Sequence, residues 1–83
     1  MNTREFVKTI DDYTTAIDNS GGTGGTLPLY IGKTYPGYAK SDNKWKIVKL
    51  TYDANDNITD VQWAEGNTRY TKVWDDRASY SYS

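Results

Sequence analysis

Two β-prone runs around a short Asx-rich turn constrain this chain more than any other feature of it. Lys44-Trp45-Lys46-Ile47-Val48-Lys49-Leu50-Thr51-Tyr52 and Ile58-Thr59-Asp60-Val61-Gln62-Trp63-Ala64 are both of strand length and rich in β-branched and aromatic residues. Between them lies Asp53-Ala54-Asn55-Asp56-Asn57, the kind of side chains that hydrogen-bond their own backbone in a turn. The pair reads as an antiparallel hairpin closed by that loop, with Tyr52 opposite Ile58 and, by continuing the register, Ile47 opposite Trp63. One face then carries Trp45, Ile47, Val61 and Trp63. The other carries Val48, Leu50, Tyr52 and Ile58. Apolar groups on both sides mean that neither is simply solvated. The first is expected to pack on the domain's own core, and the second on an N-terminal arm or on a partner.

The rest of the chain reads as material packed beside that hairpin. Phe6, Ile10, Tyr13 and Ile17 are spaced as on one helix face, and Asn2 with Glu5 suits a capping box. Thr9, Thr14 and Thr15 argue the other way, since β-branched residues are disfavoured in helices. The expectation is a short helix or loose arm over 3–11 and a strand over 12–18. Residues 19–26 hold four glycines and read as a flexible polar loop. A strand over 27–33 follows, with Pro28 at its start or on an edge, so that 12–18 and 27–33 can form a second hairpin with a long, mobile tip. Tyr35-Pro36-Gly37-Tyr38 is a turn signal. Glu65-Gly66-Asn67 marks another turn, Thr68 to Trp74 a further strand, Asp75-Asp76-Arg77 a charged bend, and Ala78 to Ser83 a terminal Ser/Tyr strand.

The fold expected is therefore mainly all-β: a small antiparallel β-sandwich or partly open barrel of five to six short strands, with an N-terminal arm or short helix. Residues 1–26 supply the arm, first strand and Gly-rich loop, and 27–83 the β-domain. Eight tyrosines, three tryptophans and one phenylalanine agree with it.

At 83 residues the chain buries only about 60% of its unfolded surface, so small domains of this kind lean on reinforcement. There are no cysteines and no histidines, which removes disulfides, thiolate metal sites and the commonest general base. Association with copies of itself or with a larger assembly is the stabiliser left. A net charge of −1 and a pI near 5.2 speak against duplex nucleic acid as the main partner. No apolar run is long enough for a membrane helix. Met1-Asn2-Thr3-Arg4-Glu5 lacks the layout of a signal peptide, so synthesis in a cytoplasm is expected.

Few residue groups suggest chemistry. Gly32-Lys33-Thr34 resembles the end of a phosphate loop, but the earlier glycine is replaced by Leu27 and Pro36 blocks the helix that should follow. Asp53 to Asn57 alternates oxygen ligands as a calcium loop does, but Ile58 and Ala64 stand where that loop needs glycine and glutamate. The carboxylates sit at turns and strand ends, with little room for the substrate cleft that a glycosidase pair requires. Asp75-Asp76-Arg77 suits a local ion pair or an interface contact. Asn57-Ile58-Thr59 matches a glycosylation sequon without a secretory signal beside it. Trp45, Trp63 and Trp74 are the large groups available to fill a core or a protomer interface. The rival use of exposed aromatics is stacking on sugars, for which Tyr35 and Tyr38 are the candidates. No catalytic, cofactor or metal residues are expected, and no small-molecule substrate.

Four segments carry a resemblance. They are Leu29-Tyr30-Ile31-Gly32-Lys33, Trp45-Lys46-Ile47-Val48-Lys49-Leu50, Val61-Gln62-Trp63-Ala64-Glu65-Gly66 and Lys72-Val73-Trp74-Asp75-Asp76-Arg77-Ala78-Ser79-Tyr80-Ser81-Tyr82-Ser83. Together they resemble a pattern found in small proteins encoded among the virion structural genes of tailed bacteriophages: YIGKA, a Pro-Gly turn, WxIxK, a polar turn, WADG and a terminal WDxRASxxYS. Thr34 stands in place of the alanine, and Glu65-Gly66-Asn67 in place of Asp-Gly-Asp. The resemblance covers about residues 27–83 and implies a non-enzymatic, multicopy virion component of capsid, neck, tail or fibre. Its implied partners are itself or a larger virion protein.

Overall fold

The computed structural model describes residues 13–83. The proposed helix or arm over 3–11, and its capping box, lie outside those residues. Four strands, β1 (Thr14–Asp18), β2 (Tyr30–Thr34), β3 (Lys46–Tyr52) and β4 (Ile58–Trp63), form one antiparallel sheet in the order β1-β2-β3-β4. The mainly β character of the sequence reading holds. Its five or six strands in a sandwich or barrel do not: the described residues give a single open sheet of four. β1, grouped with the N-terminal arm in that reading, is an integral part of this sheet.

The two missing strands show why. Thr68 to Trp74 contributes only one bridge, Lys72 to Trp45, and Ala78 to Ser83 only one, Tyr82 to Ala64. Between them Trp74–Ser79 winds into a 3-10 helix, with Asp75 and Asp76 in its first turn and Arg77 in its last. The 3-10 helix lies across one face of the sheet, and residues 81–83 then return to the outer edge of β4, where Trp63 and Ser83 exchange backbone hydrogen bonds and the Glu65 amide donates to Ser81 O. That route delivers Trp74, Tyr80 and Tyr82 to a core with Ala16, Tyr30, Trp45, Ile47 and Ala64.

Trp45 and Ile47 are fully buried, and the Trp45 and Trp74 rings meet at 5.9 Å with a 37° tilt. The polar groups drawn into this layer are satisfied. Trp45 Nε1 donates to Ala39 O, Thr34 Oγ1 to Lys44 O, and the buried Lys72 Nζ to Asn67 Oδ1 and Thr71 Oγ1.

The central hairpin corrects the expected register by one residue. Tyr52 does pair with Ile58, and Asp53 Oδ1 accepts the Asn55 and Asn57 amides to fix the loop. Beyond that pair the ladder is bulged: Thr51 pairs with Asp60, leaving Thr59 as the additional residue. Trp63 consequently lies opposite Val48, not Ile47. Because side chains alternate along a strand, this single insertion moves Trp63 and Val61 to the other side of the sheet.

The Gly-rich loop differs from the mobile tip expected of it. Gly21 and Leu27 exchange backbone hydrogen bonds of 2.7 and 3.0 Å, closing the loop as a miniature hairpin. Thr23 then donates from its amide and hydroxyl to the two carboxylate oxygens of Asp56, at 2.8 and 3.1 Å. The loop is thereby tied to the turn of the neighbouring hairpin. Asp56 sits at φ 63°, a left-handed conformation that Asp tolerates better than most residues.

Candidate functional site

The side of the sheet opposite the aromatic core is the candidate site. Cross-strand partners share a face, so the register places Ile17 beside Ile31, Ile31 beside Val48 and Val48 beside Trp63. One residue from each strand thus forms a continuous apolar row across the sheet. The parallel row toward the hairpin loop holds Leu50 and Val61, and the row on the other flank holds Thr15, Lys33 and Lys46. Ile17 is 53% exposed and Val61 56% exposed. Isolated surface aliphatics are ordinary, but a row spanning every strand is a contiguous patch of the kind that marks an interaction surface.

The residues singled out in sequence divide as follows. Trp45, Ile47 and Trp74 lie in the aromatic core, whereas Val61 and Trp63, expected beside Ile47, lie on this second face with Val48. Of the expected partner face, Val48 is half-buried and Ile58 exposed. Leu50 is buried, and Tyr52 donates its hydroxyl to Pro28 O and packs its ring against Gly21. The chain's own Gly-rich loop covers that end of the face. Ile17, read in the sequence as part of a possible helix face, and Ile31, read as part of a strand, carry no local signal for this row. Their place in the row becomes readable only once the pairings of β1 and β2 are known.

The basic flank is lined with aromatics. Lys46 Nζ lies 4.9 Å from the Tyr70 ring centroid and 5.9 Å from that of Trp63. Tyr35 packs against both Tyr13 and Tyr70, with centroids at 5.5 and 5.0 Å and interplanar angles of 29° and 33°. The Tyr70 and Tyr13 phenols hold the Tyr35 hydroxyl above its ordinary pKa. A shallow cleft of about 140 Å³ runs between Ile31, Lys33, Lys46, Val48 and Trp63. A wider open hollow of about 450 Å³ lies at the loop end, bounded by Gly22, Thr23, Leu50, Tyr52 and Asp53 among others.

Tyr35 and Tyr38 are 48% and 43% exposed. Tyr35 already packs against the Tyr13 and Tyr70 rings, tilted by 29° and 33°, which takes up part of the ring surface a stacking sugar would need. The remaining motifs resolve into structure. Gly32-Lys33-Thr34 is the middle and end of β2, and Asp53 to Asn57 is a turn held by its own side chains. Arg77 reaches from the 3-10 helix to Asp18 on β1, with Nε 2.9 Å from Oδ2, while its guanidinium lies 4.7 Å from the Trp74 ring centroid. The Ser20 side chain first, and Arg77 second, hold the Asp18 carboxyl below the usual carboxylate range. Among the described residues no three His, Cys, Asp or Glu side chains gather as a metal site.

No protein-family model matches the chain, and the comparisons with curated proteins and with solved structures return no match either.

Proposed function

We propose that this protein is a non-enzymatic structural component of a tailed-phage virion, made in the host bacterial cytoplasm and acting through protein–protein contacts of its second sheet face. The observation that carries this reading is the apolar row Ile17–Ile31–Val48–Trp63, which the described residues leave partly exposed on the side of the sheet opposite the aromatic core. Small domains normally bury both faces of a sheet of this composition or give the second one to a partner. The resemblance of residues 27–83 to small phage virion proteins supplies the setting. On this reading the sandwich expected from the sequence is completed by association, with a second layer supplied from outside the chain. Contact with host glycans is the weaker alternative, because Tyr35 is partly engaged by the Tyr13 and Tyr70 rings.

Mass spectrometry of purified particles from the phage that carries this reading frame tests the proposal. Recovery at a fixed ratio of many copies per particle is the expected result. Particles that lack it while infected-cell lysate contains it overturn the proposal.

A further inference from the structure

We infer that the basic flank of the open face is a docking point for a partner polypeptide, held by a carboxylate and a large apolar side chain two residues apart in an extended segment. This rests on the reading of that face as a protein–protein surface, and it names the chemistry of the partner.

Lys33 and Lys46 are cross-strand partners on β2 and β3, so both side chains leave the same face of the sheet beside one another. Like charges directly opposite each other destabilise a ladder, and nothing offsets this pair. Among the described residues the one ion pair is Asp18–Arg77, on the core side of the sheet. The Lys46 ammonium is also held in place, 4.9 Å from the Tyr70 ring centroid and 5.9 Å from that of Trp63. Two residues further along the same strands come Ile31 and Val48, with Trp63 opposite Val48. These three half-buried side chains and the two lysines line the cleft of about 140 Å³. That is well short of the ~300–1,000 Å³ of a small-molecule site, and on the scale of one inserted side chain. The cleft also lies away from Leu50 and Tyr52, the end of the face that the Gly-rich loop covers.

The spacing selects the ligand. The lysine pair and the apolar residues are two positions apart, or about 6.8 Å along a strand. An extended segment lying along β2 and β3 presents alternate side chains on one side at the same interval. An acidic residue with Leu, Ile, Phe or Met two positions away thus sets its carboxylate between the ammonium groups and its apolar side chain in the cleft. A nucleic acid backbone calls for a stripe of positive charge, whereas this flank has two lysines on a chain of net charge −1. Charge complementarity on this scale fixes register and choice of partner more than affinity. Binding is therefore weak per copy and gains strength where many copies act together.

The test is titration of the full 83-residue chain with acetyl-Ser-Glu-Ser-Leu-Ser-amide, followed by the NMR shifts of backbone amides and the Trp63 indole. Shifts confined to Ile31, Lys33, Lys46, Val48 and Trp63, saturating in the millimolar range, are the expected result. Peptides with Gln for Glu, or Ser for Leu, are expected to bind about fivefold more weakly. Lys33→Gln alters an exposed side chain and Lys46→Gln a half-buried one. Each is expected to weaken binding about threefold, and the two together about tenfold, with the rest of the spectrum unchanged. Three results overturn the inference: no shift at these residues with millimolar peptide, equal binding of the Gln peptide, or unchanged binding by the double variant. Shifts of the same residues by oligothymidylate or a sulfated oligosaccharide, with the peptide inert, also overturn it, since they give the lysines to another class of ligand. A protein that ignores the peptide but is recovered in particles loses this site and keeps the virion role. Binding of the peptide by a protein that particles lack does the reverse.

Discussion

Gly32 and Trp74 are fitted to one another: a Cβ built on Gly32 would stand 2.5 Å from Cε3 and 2.8 Å from Cζ3 of the Trp74 indole. The glycine in the middle of β2 is thus the floor on which the C-terminal segment lands. Trp45 borders the same spot, with its Cε3 3.1 Å from the virtual atom. Two buried indoles and a strand backbone meet there, and none has room to yield. A glycine usually weakens a strand interior; here its missing side chain is what lets the second layer form.

Gly32→Ala is accordingly expected to destabilise the protein by about 1–3 kcal/mol, the usual cost of forcing an atom into a packed core. Urea unfolding followed by tryptophan fluorescence measures it. An unchanged midpoint would mean that Trp74 does not rest on β2.

The pair Asp18–Arg77 joins β1 to the 3-10 helix and gives the stability an acid dependence. The Asp18 carboxyl is held below its unfolded value of 3.8, so its contribution is present above that pH and is lost as pH falls through the lower folded value. Both partners are partly exposed, at 28% for Arg77 and 21% for Asp18, which limits the pair to about 1 kcal/mol after solvent screening. Asp18→Asn should lower stability by that amount near neutrality and by almost nothing below pH 2. The Asp53 carboxyl, held down by the amides of Asn57 and Asn55, keeps part of the acid limb in that variant. Urea midpoints of both proteins between pH 2 and 7 decide the matter.

At the alkaline end Tyr82 dominates. Burial first, and the neighbouring Tyr30 and Tyr80 after it, push its phenol well above the ordinary value of 10.0, and its hydroxyl donates to Arg77 O. The native state holds this proton more tightly than the unfolded chain does. Its contribution is thus complete below about pH 10 and falls away as pH rises beyond it. Tyr82→Phe is expected to cost about 1 kcal/mol at pH 7 through the lost hydrogen bond and to flatten the alkaline decline. Absorbance titration at the phenolate band should lose one late-titrating tyrosine.

The hairpin was legible because its loop is local. Asp53 and the asparagines close it with their own side chains, and Tyr52 meets Ile58 as their positions require. Thr59 carries no comparable signal. A β-branched residue suits a regular ladder and a bulge alike, yet that one insertion decides which face receives Trp63. The C-terminal stretch misled for another reason. Alternating Ser and Tyr from Ser79 to Ser83 has strand periodicity, but Tyr80 and Tyr82 follow Trp74 onto the sheet, a contact made by residues more than forty positions from Tyr30 and Gly32. Ile17 and Ile31 join the apolar row only through pairings between strands, which local pattern does not encode.

The register itself can be tested in a chain without native cysteines. The Ala64 amide donates to Ile47 O, which marks Ile47 and Ala64 as a hydrogen-bonded pair. Hydrogen-bonded and non-hydrogen-bonded pairs alternate along an antiparallel ladder. Val48 with Trp63 and Leu50 with Val61 are therefore non-hydrogen-bonded pairs, whose Cα atoms come within about 4.5 Å, a separation that a disulfide spans. Leu50→Cys combined with Val61→Cys should oxidise in air to an intramolecular crosslink. Leu50→Cys combined with Asp60→Cys, the pairing of an unbulged ladder, should stay reduced, because Asp60 faces the aromatic layer side with Thr51. Thiol titration after gel filtration of the monomer distinguishes the two. Crosslinking in the second variant and not in the first would remove the bulge, return Trp63 to the side of Ile47, and break the apolar row at β4.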